Sequence, residues 1–292
     1  METLTRSLKI WITASLISLF IYNAYVTRGS YLIFFGYLMH EPEATGYVSM
    51  TGVVFWAGHL GLTARFIGLL LGLAAVFLLW VKAHPFSKVK CIVAAALFLE
   101  GVNFLGLLPS AWWLMNPDSP VFTPFLGADY VLQALLIVPF LFVLAFKAKN
   151  YDGGSLGHDL RKWAAAAFAG YVTALGVNAV FRWLDMLSLQ GTVFLTGIVA
   201  VGFVSAVVLM PLAVIFAFVG AFFWVKSKAR FAMTWAGAAL TCVGLYYAIY
   251  LVYSYFAGSL NYLPLVDVWT VPLLGLGIAM LVNVFRMRSP GH

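Results

Sequence analysis

The sequence predicts an all-α, polytopic membrane protein: eight transmembrane helices arranged as two four-helix repeats of the same orientation. Three observations lead there. Of 292 residues, 63% are hydrophobic and 9% charged, a balance that excludes an ordinary soluble domain. Apolar runs of about 20 residues or more recur along the chain, and they are continuously apolar rather than alternating, which favours helices over a membrane barrel. Short motifs of the first half reappear in the same order in the second.

Eight spans follow: Leu8–Val26, Gly52–Val81, Cys91–Trp113, Val121–Phe146, Trp163–Phe181, Thr192–Val225, Phe231–Phe256 and Leu263–Phe285. Arg6 and Lys9 precede the first, as in a signal peptide. However, Ile10–Tyr25 lacks a small-x-small cleavage site and an equivalent helix recurs later, so it reads as a span. Spans two and six run to about 30 residues each, near 45 Å at helical rise and longer than the ~30 Å hydrocarbon core. They are expected to tilt, break or project outward, with His59-Leu60-Gly61 and Pro211 as break points. The outer segment 29–50 carries a short apolar patch, Tyr31–Met39, expected to lie in the interface or fold over the outer face.

Of the 17 lysines and arginines, all but Arg28, Arg65 and Arg182 fall on one side of this arrangement. The positive-inside rule makes that side cytoplasmic and puts both termini inside a cell membrane. The net charge of +7 is then a topology signal and not a nucleic-acid footprint. Trp80, Trp113 and Trp224 sit at span ends as part of an aromatic belt. Cys91 and Cys242 lie in apolar runs without CxxC spacing and read as small core residues.

Four echoes suggest the duplication. Leu8-Lys9-Ile10-Trp11 is matched by Leu160-Arg161-Lys162-Trp163, and Asn23-Ala24 before Arg28 by Asn178-Ala179 before Arg182. Trp80-Val81-Lys82 recurs as Trp224-Val225-Lys226, and Pro124 with Asp129 as Pro264 with Asp267. The repeats would occupy 1–150 and 151–292, joined by the polar, glycine-rich Lys147–Lys162. An even number of spans per repeat inserts both the same way up, with the pseudo-twofold axis along the membrane normal.

Depths follow from counting helical rise outward from each cytoplasmic lysine or arginine. Arg65, Asp129, Asn178, Arg182 and Asp267 come out roughly 24 to 30 Å in, and Glu100 about 15 Å in, near the midplane. Asn103 lies one turn beyond Glu100 on the same face. A carboxylate in hydrocarbon is costly, so Glu100 is the sharpest clue: the floor of an outward-opening polar cavity, protonatable unless a cation stands close. Arg65, about 10 Å higher by this count, is the nearest cation. The structural alternative ties helices together through Arg65–Asp129 and Arg182–Asp267 or Arg182–Asp185, with Glu100 neutral against Asn103 or a backbone carbonyl. Aligned on the repeated Trp-Val-Lys, Glu100 falls opposite about Val243, and Arg65 opposite about Leu209 or Met210. The candidate ion- or substrate-binding residues are therefore Glu100, Arg65, Asn103, Asp129, Arg182 and Asp267.

No P-loop, GxSxG, HExxH or CxxC is present, and no lysine lies mid-span to carry a retinal Schiff base. His40, Glu41, Glu43 and His59 enforce no ligand spacing. The expectation is no catalytic activity, no metal, no cofactor and no nucleic-acid partner. The partners are the lipid bilayer and, on one reading, other membrane or redox subunits. Three functions remain: passage of protons, ions or a small solute; a cofactor-free, quinone-interacting or anchoring subunit of a respiratory or oxidoreductase complex; and, least favoured, an intramembrane lipid-modifying enzyme. In outline, two same-sense four-helix units resemble the quinol-interacting membrane subunits of oxidoreductases, and His59–His84 resembles the second helix of DoxX-type proteins. Neither resemblance rests on a motif, and no family is assigned.

Overall fold

The computed structural model describes residues 6–40, 45–117, 124–151, 158–190, 198–256 and 270–286, and their regular structure is helical throughout. The elements are α1 (Arg6–His40), α2 (Thr45–Trp80), α3 (Phe86–Gly106), α4 (Leu108–Met115), α5 (Pro124–Lys149), α6 (His158–Gln190), α7 (Ile198–Val225), α8 (Ala229–Phe256) and α9 (Thr270–Arg286). Seven stretches are long and apolar enough to cross a membrane, Phe86–Met115 counting as one, and a shorter apolar helix covers Pro272–Val284. That is the make-up of a multi-pass membrane protein. Where no water reaches the backbone, a helix satisfies each N–H and C=O within its own segment. The expected eighth span, Leu263–Phe285, overlaps α9, and its first residues lie outside the described ones.

Three local expectations are corrected. Tyr31–Met39 is no separate interfacial piece, because α1 continues through it to His40 as a 35-residue helix of about 52 Å. The 36-residue α2 runs unbroken through His59-Leu60-Gly61, and α7 runs unbroken through Pro211. The interruption falls instead between α3 and α4, at Leu107. Pro109 has no N–H to continue the α-helical ladder, and the turn tightens so that Leu107 N donates to Phe104 O at 3.3 Å.

The chain divides into two compact units, Leu19–Asp152 and Gly153–His292 together with Met1–Ser18. In Leu19–Asp152, α2 packs on α3, α3 on α5 and α4 on α5. Phe20 of α1 stacks on Phe66 of α2 at 5.0 Å, and Asn23 Nδ2 donates to Leu62 O at 3.3 Å. The α2–α3 contact is close because glycines form it. A Cβ added at Gly106 would lie 2.6 Å from Ala57 O and 3.0 Å from Gly61 Cα; one at Gly68 would lie 3.1 Å from Ala96 O and 3.3 Å from Leu99 Cβ. Small residues let membrane helices approach and gain van der Waals contact that lipid cannot replace.

In the other unit α6, α7, α8 and α9 pack in sequence. Its core holds Val172, Trp183, Ala206, Met210, Ala213, Val243 and Tyr246, all buried. Alanines on α7 bring it close to its neighbours, and Trp183 Nε1 donates to Tyr246 Oη at 3.2 Å, so the indole is not buried without a partner.

Glycine substitutions separate contact from propensity. Gly106→Leu drives a side chain into α2 and costs about 1–3 kcal/mol, read as a lower thermal midpoint in detergent. Gly72→Ala, on the same α2 but with open space around the new Cβ, is neutral or stabilising by about 0.5–1 kcal/mol in the same assay.

Candidate functional site

The glycine seam sets an antiparallel register. Gly61 lies by Asn103 and Gly106, and Gly68 by Leu99 and the amide of Glu100. Arg65, midway between the two glycines on α2, is thereby brought to Glu100. Arg65 Nε stands 3.5 Å from Glu100 Oε1, with the two side chains 18% and 21% exposed.

This contact corrects the depth count that put Arg65 about 10 Å above Glu100. Measured from the helix ends, Arg65 is about 22 Å from Trp80, the last residue of α2. Glu100 is about 21 Å from Phe86, the first residue of α3. The two are level. Counting from Lys90 hid this, since α3 already has a full turn behind that lysine. Beside Asn103 and the backbone, Glu100 therefore also has Arg65 of α2 as a neighbour.

Asn103 is buried one turn along α3. Gly101, next to Glu100, faces Phe142 of α5, and Phe98 stacks on Phe142 at 5.0 Å. Apolar rings therefore pack α3 against α5 on either side of Glu100 in sequence. Asp129 on α5 is fully buried and accepts a 2.7 Å hydrogen bond at Oδ2 from Gln133 Nε2, one turn along the same helix. Gln133 was missed by sequence reasoning, although its i+4 spacing from Asp129 is the signal that finds it. Arg182 belongs to the other unit and is exposed on α6; Asp267 and the side chain of Asp185 lie outside the described residues. Of the six predicted residues, the structure thus brings two into contact, Arg65 and Glu100, with Asn103 one turn away.

His59 is buried on α2, while Glu41, Glu43 and the side chain of His40 lie outside the described residues. Among the described residues no three His, Cys, Asp or Glu gather as metal ligands. A groove of about 410 Å³ opens between α6 and α7, lined by Gly176, Val180, Phe181, Met210, Pro211 and Ile215 among others. None of the six predicted residues lines it.

A double-mutant cycle measures the pair. Arg65→Met and Glu100→Leu each leave an uncompensated charge in an apolar helix pair and destabilise the protein. The double variant is less destabilised than the sum, with a coupling of about 1–2 kcal/mol by chemical or thermal unfolding in detergent. That value lies between exposed and fully buried pairs because about a fifth of each side chain is accessible. A coupling near zero means that the two charges do not interact.

Comparison of the chain with protein families, with curated proteins and with solved structures finds no match.

Proposed function

We propose that the protein passes a proton, a small cation or a small solute across a cell membrane, with Glu100 as the exchanging group and Arg65 as its internal counter-ion. The observation that carries this reading is the Arg65–Glu100 pair, placed about 21 Å along helices of apolar composition. In hydrocarbon neither charge is stable alone, so the carboxylate is covered by Arg65 when empty and by the proton or cation when loaded. Arginine keeps its charge at all working pH values, which leaves Glu100 as the member that exchanges.

The comparison within the chain supports the same residues. We read it as eight spans in two same-sense repeats with both termini cytoplasmic. Two further likenesses favour the duplication: Ala83 and Ser227 each follow Trp-Val-Lys and each adopts positive φ, 52° and 60°. Lys82 lies 6.0 Å over the Phe77 ring and Lys226 5.8 Å over that of Phe222. On this alignment Arg65 falls opposite Leu209 or Met210 and Glu100 opposite about Val243, none of them charged, and Met210 and Val243 belong to the buried apolar cluster. A buried apolar pair packs such a site as well as an ion pair does, so the charges are kept for use rather than for stability. The second reading is a cofactor-free subunit of a respiratory or oxidoreductase complex. The short turns Val81–Pro85 and Lys226–Lys228, which leave no soluble domain between those helices, favour it.

Purified protein in liposomes with an internal pH or cation dye is expected to show flux above empty liposomes. Glu100→Gln brings that flux down to background, at least tenfold; Arg65→Lys retains flux with an altered pH dependence. If the wild-type protein carries no flux, and is recovered from native membranes only with redox subunits, the subunit reading replaces this one. A reporter fused after His292 is expected to be active on the cytoplasmic side.

A further inference from the structure

The turn between α7 and α8 concentrates charge. Lys226, Ser227 and Lys228 form it, and Arg230 lies in the first turn of α8; Lys226, Lys228 and Arg230 are all exposed. Arg161, near the start of α6, reaches the same turn and donates from Nη1 to Ser227 Oγ. Lys162 adds a further exposed cation, and exposed Asp159 is the one acid among the described residues of these segments. The hydroxyl that accepts from Arg161 keeps its own proton available to donate.

Beneath this turn the surface changes character. Phe222, Phe223 and Phe231 form a run of ring contacts at 5.6 and 5.3 Å, and Lys226 Nζ sits over Phe222. Phe222 and Phe231 are 57% and 53% exposed, and Trp224 beside them is also exposed. They stand at the ends of spans long enough to cross a membrane, where headgroups meet acyl chains. Guanidinium and ammonium groups joined to a hydroxyl fit a phosphate oxyanion. Exposed rings immediately below fit a glycerol backbone and the first methylenes of a chain.

We infer that the α7–α8 turn, with Arg161 of α6, is a binding site for an anionic phospholipid. The phosphate is held by Arg161, Lys228, Arg230 and the Ser227 hydroxyl, and the acyl chains lie against Phe222 and Phe231. The charge selects the headgroup, and the aromatic floor selects a lipid over a free phosphate. Neither part depends on Glu100 or on transport.

The test uses the full chain, delipidated in detergent and titrated with phosphatidylglycerol, phosphatidylcholine or inorganic phosphate, with the thermal midpoint and the lipid retained in native mass spectrometry as readouts. Phosphatidylglycerol is expected to raise the midpoint and remain bound, whereas the other two do neither. Arg161→Gln/Arg230→Gln weakens phosphatidylglycerol roughly 25-fold, about fivefold per charge removed. Lys228→Gln, which alters only an exposed lysine, weakens it about fivefold where the arginine variant fails to fold. Lys82→Gln/Lys88→Gln, an equal charge loss in the other unit, changes the affinity less than about twofold. Equal response to the two lipids, or retained affinity in the glutamine variants, overturns the proposal. So does an equal loss in the Lys82/Lys88 control, which means a diffuse basic surface. Competition by inorganic phosphate as effective as by the lipid means a free-anion site and overturns the lipid assignment.

Discussion

Every polar group in this chain that leaves water has to find its partner within the protein, and the structure follows from that requirement. The backbone meets it by being helical. Hydroxyls on the helices meet it locally: Thr13, Thr173 and Thr241 return to the carbonyl four residues back. Larger groups meet it across helices or along them, as Asn23 does with Leu62 O, Trp183 with Tyr246 and Gln133 with Asp129. The Arg65–Glu100 contact is the same requirement applied to full charges, where an unmet partner costs most.

What allows those two charges to meet is the absence of side chains elsewhere. Gly61, Gly68 and Gly106 let the α2 and α3 backbones approach closely, and Arg65 and Glu100 are the long residues flanking that seam. In the other unit the α7 seam is built of alanines, and the contacts around them are apolar. Close packing is therefore available without charge. An ion pair placed in such a seam adds little net stability over apolar residues of similar size.

The spans were legible because continuous apolar length is a direct consequence of bilayer thickness, and seven of them have helices of the expected length and character. Features that depend on what surrounds a helix were not. Tyr31–Met39 is too short to span by itself, but it needs no span of its own when it continues α1. Pro211 removes one hydrogen bond from a long apolar helix without ending it, and Gly61 marks a close approach, not a hinge. At Leu107, by contrast, Gly106 and Pro109 bracket the interruption, a signal present in the sequence. Glu100 and Arg65 were legible as costly charges. Their contact was not, because depth counted from a lysine depends on where the helix begins, and α3 begins four residues before Lys90.

The form of the pair bears on what it can do. Arginine and carboxylate in a fixed structural tie usually engage as a two-bond fork at hydrogen-bond distance. Here Nε stands 3.5 Å from the carboxylate oxygen, beyond the ordinary range for N–H···O bonds. Such a contact sets the two charges side by side without the closer geometry of a fork. A tighter fork would stabilise the empty state and oppose loading; no counter-ion at all would leave the empty carboxylate unsupported in hydrocarbon. On the proposed transport reading, a pair between those limits suits a carboxylate that exchanges its partner.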